Sequence, residues 1–291
     1  MSILIDESTQ VLVQGITGKE GSFHTQRMIE YGTRVVAGVT PGKGGNSLDG
    51  VPIYNTVMEA VNRHRIDAAV VFVPARYATD AISEEVDAKI PLIVCITEGI
   101  PLHQMLRTYE IVRSHGAKLI GPNCPGLLSA GKSKIGIIPG QIFKSGPVGV
   151  VSRSGTLTYE IVDQLTKAGI GQTTAVGIGG DPVIGSSFID ILELFERDPE
   201  TQLVVMVGEI GGSDEEQAAE FISRKLTKPV ISYIAGFSAP PGKRMGHAGA
   251  IITGSSGTAE AKAKALEAKG IPVARTPRQI VELVKQKLRK A

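Results

Sequence analysis

The chain has 291 residues, of which 42% are hydrophobic, enough to bury the core of one large domain or two ordinary ones. A formal net charge of +2, with 4% aromatic residues and no Trp, argues against a nucleic-acid binder. The two cysteines, Cys95 and Cys124, form neither a disulfide framework nor a metal-ligand spacing. No signal-peptide pattern opens the chain, and no run approaches the ~20 apolar residues of a membrane span. We therefore expect a soluble cytoplasmic protein without a metal site of its own.

Short apolar runs alternate with longer amphipathic segments in the first part of the chain. The β-branched, apolar runs predict buried parallel strands at 11–13, 34–39, 68–73, 92–96 and 118–120. Helical patterns lie between these strands, at 20–31, 56–63, 77–88 and 103–115. This β-α-β-α alternation implies a doubly wound parallel sheet with right-handed crossovers.

Clustered Gly and Pro residues then interrupt the alternation at 121–147. We predict a first domain at 1–125, a connecting segment at 126–147 and a second domain at 148–291. The second domain repeats the pattern, with strands predicted at 148–151, 173–178, 202–207, 229–234, 249–252 and 271–274, and helices at 155–168 and 277–289. The sequence thus predicts two α/β domains.

A glycine-rich loop, with glycines at 15, 18 and 21, joins the first predicted strand to the first predicted helix. Such glycines allow a tight turn and close approach of a phosphate to the N–H groups at the helix N-terminus. The spacing Gly-x-x-Gly-x-x-Gly differs from the dinucleotide-binding Gly-x-Gly-x-x-Gly, and a tight turn without a ligand is the alternative interpretation. The loop indicates a phosphate-bearing ligand only together with other features.

The second predicted strand ends without the carboxylate that binds the ribose hydroxyls of NAD. Instead it runs into Thr40-Pro41-Gly42-Lys43-Gly44-Gly45. Lys43 in this loop suits a ligand with several phosphates, such as CoA, better than an unphosphorylated ribose. A solvated loop lysine is the competing interpretation.

Of the five histidines, four fall within or at the ends of predicted helices and are interpreted as ordinary helical residues: His24, His64, His103 and His115. His247 lies between small residues, in Gly246-His247-Ala248-Gly249, and follows Lys243 and Arg244. An unobstructed imidazole with a large neutral fraction near pH 7 is a suitable nucleophile for phosphorus. A structural loop histidine is the alternative.

Two further segments would complete a phosphohistidine site. Glu209 follows a predicted buried strand, at the carboxyl edge where open α/β sheets place their ligands, and a carboxylate there could orient an imidazole. Ser152-Arg153-Ser154-Gly155-Thr156 lies between a strand and a helix, where N–H groups and hydroxyls can hold a phosphate. The alternative interpretations are that Glu209 is a structural hydrogen-bond acceptor and that Ser154 is an ordinary helix N-cap.

Six motifs taken in order resemble the succinyl-CoA synthetase (succinate–CoA ligase) α subunit family, and they cover nearly the whole chain. They are Gly15-Ile-Thr-Gly-Lys-Glu-Gly21, Val39-Thr-Pro-Gly-Lys-Gly-Gly45, Ile96-Thr-Glu-Gly-Ile-Pro101, Gly121-Pro-Asn-Cys-Pro-Gly126, Ser152-Arg-Ser-Gly-Thr-Leu-Thr-Tyr-Glu160 and Gly246-His-Ala-Gly-Ala-Ile-Ile252. The resemblance implies a Rossmann-like CoA-binding domain followed by a flavodoxin-like ligase domain that carries the phosphohistidine.

The resemblance also implies residue roles. CoA would be held by Thr17, Gly18, Lys19, Glu20, Lys43, Ile96, Thr97 and Glu98. His247 would take the phosphoryl group with Glu209 orienting it, while Ser154, Gly155 and Thr156 would bind the phosphate and Tyr159 would lie near the acid substrate. Arg153, Lys243 and Arg244 are candidates for neutralising charge.

A partner follows from the resemblance too. An ATP-grasp-like β subunit would supply Mg²⁺ and the ADP/ATP or GDP/GTP site, consistent with the lack of a Walker motif in this chain. The implied reaction converts succinyl-CoA, phosphate and a nucleoside diphosphate into succinate, CoA and the triphosphate, as in the citric acid cycle. The assembly, αβ or α₂β₂, stays open.

Other functions share some of these sequence features. A malate–CoA ligase or an ADP-forming acetyl-CoA synthetase would belong to the same enzyme group. A CoA- or nucleotide-sensing module has no need of the histidine, glutamate and helix-start set in the second domain. A hydride-transferring dehydrogenase lacks support because no acidic residue follows the second strand.

Overall fold

The computed structural model describes residues 2–239, 246–252 and 257–289. Two seven-stranded sheets follow one another along the chain, each with helices packed on it. Within the described ranges, no helix is long and apolar enough to cross a bilayer.

The first sheet and its helices occupy residues up to 120. Their elements are β1 (Gln10–Gln14), α1 (Lys19–Tyr31), β2 (Arg34–Val39), β3 (Ser47–Leu48), β4 (Val51–Tyr54), α2 (Val57–Val61), β5 (Ala68–Val71), α3 (Ala75–Asp87), β6 (Leu92–Cys95), α4 (Leu102–Ser114) and β7 (Lys118–Ile120). The strand order is β3-β4-β2-β1-β5-β6-β7, and only the short β3 runs antiparallel to its neighbour. Without β3 this is the Rossmann order, with its switch point between β1 and β5.

The second sheet uses the rest of the chain. Its elements are β8 (Gly126–Ser129), β9 (Ser133–Gly136), a 3₁₀ helix (Gly140–Ile142), β10 (Ser145–Ser152), α5 (Gly155–Lys167), β11 (Gln172–Gly177), α6 (Phe188–Arg197), β12 (Leu203–Glu209), α7 (Asp214–Lys225), β13 (Val230–Ala235), α8 (Ala259–Ala268), β14 (Val273–Ala274) and α9 (Pro277–Leu288). The order is β14-β13-β12-β10-β11-β8-β9. Its five parallel strands follow the flavodoxin order, with the switch point between β10 and β12.

The predicted two doubly wound α/β units are therefore confirmed, with two differences in detail. Segment 126–147, expected as a connection, contains β8 and β9, which form an antiparallel hairpin at the edge of the second sheet. The predicted strand at 249–252 is wrong. Its residues are largely buried, but Gly249 donates its N–H to the Gly180 carbonyl at 3.1 Å and Ala250 to the His247 carbonyl at 3.2 Å. An apolar pattern reports burial, and here the buried segment is a loop.

The two halves share one hydrophobic core. Residues from both sheets belong to the same buried cluster, including Val11 and Val151. Helix α1 packs on β9, where Thr33 donates its hydroxyl to the Lys134 carbonyl at 2.7 Å. The carboxyl edges of both sheets contribute to the cavity described next, because this packing brings them together.

Candidate functional site

Two cavities lie at the switch points of the sheets, where open α/β folds place their ligands. The first, here called the N-terminal cavity, has about 780 Å³ and is lined by the loops after β1, β2 and β5 and by α3. The second, here called the junction cavity, has about 500 Å³ and lies between the two halves. Its lining comes from α1, the loops after β5 and β6, segment 123–125, α5 and His247.

The glycine-rich loop divides its residues between the cavities. Thr17 and Gly18 line the N-terminal cavity, Glu20 lines the junction cavity, and Lys19 lines neither. A side chain at Gly21 is excluded, since its Cβ would lie 2.1 Å from the carbonyl oxygen of Gly15. The loop is thus built as the sequence predicted, with α1 starting immediately beneath it.

Segment 96–98 follows β6, and all three of its residues line the junction cavity. Thr97 fixes this segment to the neighbouring strand end by donating its hydroxyl to the Val73 carbonyl at 2.7 Å. Lys43 is not brought to either cavity; it is exposed on the loop beyond Pro41, which lines the N-terminal cavity.

His247 and Glu209 are in direct contact. The Nδ1 atom of His247 lies 2.7 Å from Oε2 of Glu209, the last residue of β12. A carboxylate accepts, so the contact fixes the tautomer with its hydrogen on Nδ1 and leaves Nε2 as the free acceptor. This hydrogen bond raises the pKa of His247 above its ordinary value, against the opposing effect of burial.

The ring of His247 rests on a glycine. A Cβ at Gly180 would lie 2.1 Å from Cγ and 2.2 Å from Nδ1 of His247. Gly180 belongs to the loop after β11, and its carbonyl accepts from Gly249 on the far side of the histidine loop. No larger residue at 180 allows the observed ring position.

Glu209 is itself held by a buried ionic network. Its side chain is 7% exposed, and its Oε1 lies 3.5 Å from Nε of Arg153, which also pairs with Asp214 at 2.9 Å. The backbone N–H of Glu209 donates to Glu215 at 3.1 Å, and Glu215 accepts from the fully buried Lys262. The ion pair with Arg153 holds the Glu209 side chain electrostatically, and the bond to Glu215 holds its backbone.

The start of α5 offers an anion site. Ser154 is its N-cap and accepts from the N–H of Leu157, while Ser154, Gly155 and Thr156 all line the junction cavity together with His247. The first N–H groups of a helix have no intrahelical acceptor and attract anions. Tyr159, one turn further, lines the same cavity, and burial raises the pKa of its hydroxyl to about 12.

The sequence did not predict several residues of the site. His24, taken as an ordinary helical residue, lines the junction cavity, and so do Phe72 and Asn123. Asn123 donates to Asp181 at 2.9 Å beside the histidine loop. The position of His24 one helical turn after Glu20 was the available signal. Lys243 and Arg244 lie outside the described residues.

Comparison with known proteins agrees with this architecture. Residues 6–99 match the family described as CoA binding domain, and residues 151–271 match the family described as CoA-ligase. The chain is 62% identical over 284 residues to the ADP-forming succinate–CoA ligase α subunit 2 of Archaeoglobus fulgidus, covering 98% of this chain and 99% of that one. It is 58% identical over 286 residues to the α subunit of the same-named ligase of Aquifex aeolicus, covering 98% and 94%.

A solved structure shows the same fold. ATP citrate lyase from Methanothrix soehngenii, in complex with citrate and coenzyme A, aligns with a TM-score of 0.87 at 26% identity. The alignment covers 98% of this chain and 51% of the lyase chain.

The Rossmann-like and flavodoxin-like units, with a histidine–carboxylate pair in the second, define the class as a CoA ligase. Within that class, the identity over nearly the full length decides the family. The chain belongs to the succinate–CoA ligase α subunits, enzymes that join an acid to the thiol of CoA.

Proposed function

We propose that this chain is the CoA-binding, phosphohistidine-carrying α subunit of a succinate–CoA ligase, with His247 as the phosphorylated residue. The observation that carries the proposal is the 2.7 Å contact of His247 with Glu209 in a cavity that also contains the start of α5. A nucleophile and an anion site thus line one cavity, and the orienting carboxylate contacts the nucleophile.

CoA would span both cavities in this proposal. Its nucleotide end would occupy the N-terminal cavity against Thr17 and Gly18, with Lys19 and Lys43 at the rim for the phosphates. Its thiol end would pass into the junction cavity towards Glu20 and segment 96–98. The two cavities share Phe72 in their linings, which supports one extended ligand rather than two separate ones.

The chemistry follows from the tautomer of His247. Nε2 attacks phosphorus, and Glu209 stabilises the imidazole as positive charge develops on it. Ser154, Gly155 and Thr156 would then hold the phosphoryl oxygens at the helix start, and Arg153 contributes positive charge behind Glu209. Positioning and charge neutralisation do most of the work in phosphoryl transfer, and these groups supply both.

The net reaction runs through acyl phosphate. Phosphate attacks succinyl-CoA to give succinyl phosphate and CoA, and His247 takes the phosphoryl group and passes it to a nucleoside diphosphate. Tyr159 would lie near the acid. In this proposal, an ATP-grasp-like β subunit supplies Mg²⁺ and the ADP/ATP or GDP/GTP site. The proposed location is the cytoplasm, because the two cysteines are free and buried.

The test is reconstitution. This chain and its β subunit are mixed with succinate, CoA and nucleoside triphosphate, and succinyl-CoA is measured by chromatography. Formation that requires both chains and disappears in the His247→Asn variant supports the proposal. Formation that persists in His247→Asn refutes the role of His247.

A second experiment addresses Lys43. The Lys43→Ala variant should lose more affinity for CoA than for dephospho-CoA in calorimetry, because only CoA has the 3′-phosphate. Lys89→Ala, which removes an exposed lysine at the far end of α3, is the matched control. Equal losses for the two ligands would exclude a contact between Lys43 and the 3′-phosphate.

A further inference from the structure

The junction cavity contains a second histidine besides His247. His24, in the second turn of α1, lines this cavity together with Glu20 and Phe72. Phe72 also lines the N-terminal cavity, so it lies where the two cavities meet. A ligand that extends from one cavity into the other passes Phe72 and reaches His24.

The ring of His24 is held in place by stacking. It lies parallel to the Phe72 ring, with an interplanar angle of 6° and 5.7 Å between ring centroids, and the Phe23 ring packs edge-on against it at 5.0 Å. Its side chain is 14% exposed. Such packing restricts the orientation of the imidazole plane.

The nitrogen atoms of His24 make no hydrogen bond with the described residues. Nδ1 is buried without a partner, and Nε2 lies 3.6 Å from the Glu20 carboxylate, beyond hydrogen-bonding distance. Buried polar atoms in proteins are nearly always paired, and the exceptions cluster at sites with a chemical role. An imidazole in a ligand cavity with a buried Nδ1 that has no hydrogen-bond partner fits such a role.

Burial and a nearby cation favour the neutral form of His24. Burial lowers the pKa of His24, and the ammonium group of Lys134 on β9 lowers it further. Glu20 on its own helix acts in the opposite direction, without reversing the shift. At neutral pH the imidazole is therefore available to accept a proton.

We propose that His24 is a further catalytic residue, whose imidazole accepts the thiol proton of CoA when the thiol attacks the acyl phosphate. The inference rests on the proposed function, because it assumes that CoA reaches the junction cavity. It assigns to α1 a role in the thioester step that is separate from the phosphoryl step at His247.

The proposed step is balanced as follows. The S–H bond breaks as His24 takes the proton, the sulfur forms a bond to the acyl carbon, and the bond from that carbon to the phosphate oxygen breaks, with the electron pair leaving on phosphate. In the reverse direction phosphate attacks the thioester, and protonated His24 returns its proton to the departing thiolate. General-base assistance of this kind contributes about 10²–10⁴-fold.

The two steps are separated with the assembled α and β chains. Phosphoenzyme is made with radiolabelled nucleoside triphosphate, and then succinate and CoA are added and the formation of succinyl-CoA is timed. In His24→Gln we expect normal labelling of His247 but succinyl-CoA formation slowed about 100-fold or more near pH 7. The slowed rate should recover as pH rises towards the thiol pKa, about 8.5 for a simple thiol, since solvent then removes the proton.

A matched control is His103→Gln, an exposed histidine at the start of α4 that lines neither cavity. It should leave both steps unchanged. An unchanged rate of succinyl-CoA formation in His24→Gln overturns the proposal. A lower rate whose pH dependence matches that of the unaltered chain also overturns it, because it indicates a binding or structural role.

Two more outcomes remain distinguishable. Failure of the unaltered chain to label at all refutes the proposed function rather than the role of His24. If His24→Gln does not fold, the pH profile of the unaltered chain tests the proposal instead. Protonation of His24 should slow the thioester step below an inflection at a pH under 6.5. A rate without that inflection overturns the proposal.

Discussion

The contact of Gly180 with the His247 ring permits a test by a single methyl group. In Gly180→Ala the new Cβ would lie 2.1 Å from the ring, whereas ordinary contacts to a Cβ begin at 3.4 Å. The ring must therefore move by roughly 1 Å or more, away from the 2.7 Å contact with Glu209. A displacement of this size at a reacting centre costs on the order of 100-fold in rate.

The assay is the initial rate of label transfer from nucleoside triphosphate to the chain assembled with its β subunit. Gly140→Ala is the control, because its Cβ would approach the Tyr31 ring to 2.3 Å, a clash of similar severity outside both cavities. We expect about a 100-fold slower rate in Gly180→Ala and little change in Gly140→Ala. An unchanged rate in Gly180→Ala would mean that the observed ring position is not the reactive one.

Three further predictions concern pH and stability. Glu209→Gln replaces the carboxylate that raises the pKa of His247 with a neutral amide, so the pH at which phosphorylation reaches half its maximum rate should fall; a pH profile identical to that of the unaltered chain contradicts the effect of Glu209 on the pKa of His247. Glu85 is fully buried, and burial raises its pKa well above 4.5. Its contribution to the free energy of unfolding is therefore fully present below pH 4.5 and is lost as pH rises towards the folded-state pKa. In urea unfolding, the free energy of unfolding of Glu85→Gln should increase relative to that of the unaltered chain as pH rises, by at most about 1.4 kcal/mol per pH unit. A difference in free energy of unfolding that does not change with pH would disprove this. Lys262→Met leaves Glu215 buried without its counter-charge and should lower the free energy of unfolding by about 3–5 kcal/mol. The double variant that also has Glu215→Gln should recover part of this loss. Equal losses in the single and double variants would show that the pair is not coupled.

The alternation of apolar runs predicted the two sheets because burial on both faces of a parallel strand leaves a continuous apolar signature. That signature does not distinguish a strand from a buried loop, which is why 249–252 was assigned wrongly. It also failed at β8 and β9, where glycines and prolines indicated a connection. Gly126 and Gly136 pair across that hairpin, and a turn-rich sequence is compatible with an antiparallel edge.

The candidate site was predictable to the extent that it lies at strand ends. Glu209 ends β12 and Ser154 follows β10; these strands are neighbours in the sheet, so the proximity of the two residues follows from topology. The position of His24 depends on how α1 is rotated by the glycine-rich loop, and the seat at Gly180 depends on contact between two loops. The spacing of His24 from Glu20 was a local signal, whereas the contact at Gly180 has none.

The phosphohistidine itself is the most direct test of the whole account. The chain, assembled with its β subunit and exposed to labelled nucleoside triphosphate, is digested and its phosphopeptide is sequenced by mass spectrometry. We predict a single acid-labile, base-stable phosphate on His247, discharged by succinate and CoA together. A stable label on any other residue, or the absence of label from an assembled and CoA-binding complex, would contradict the central claim.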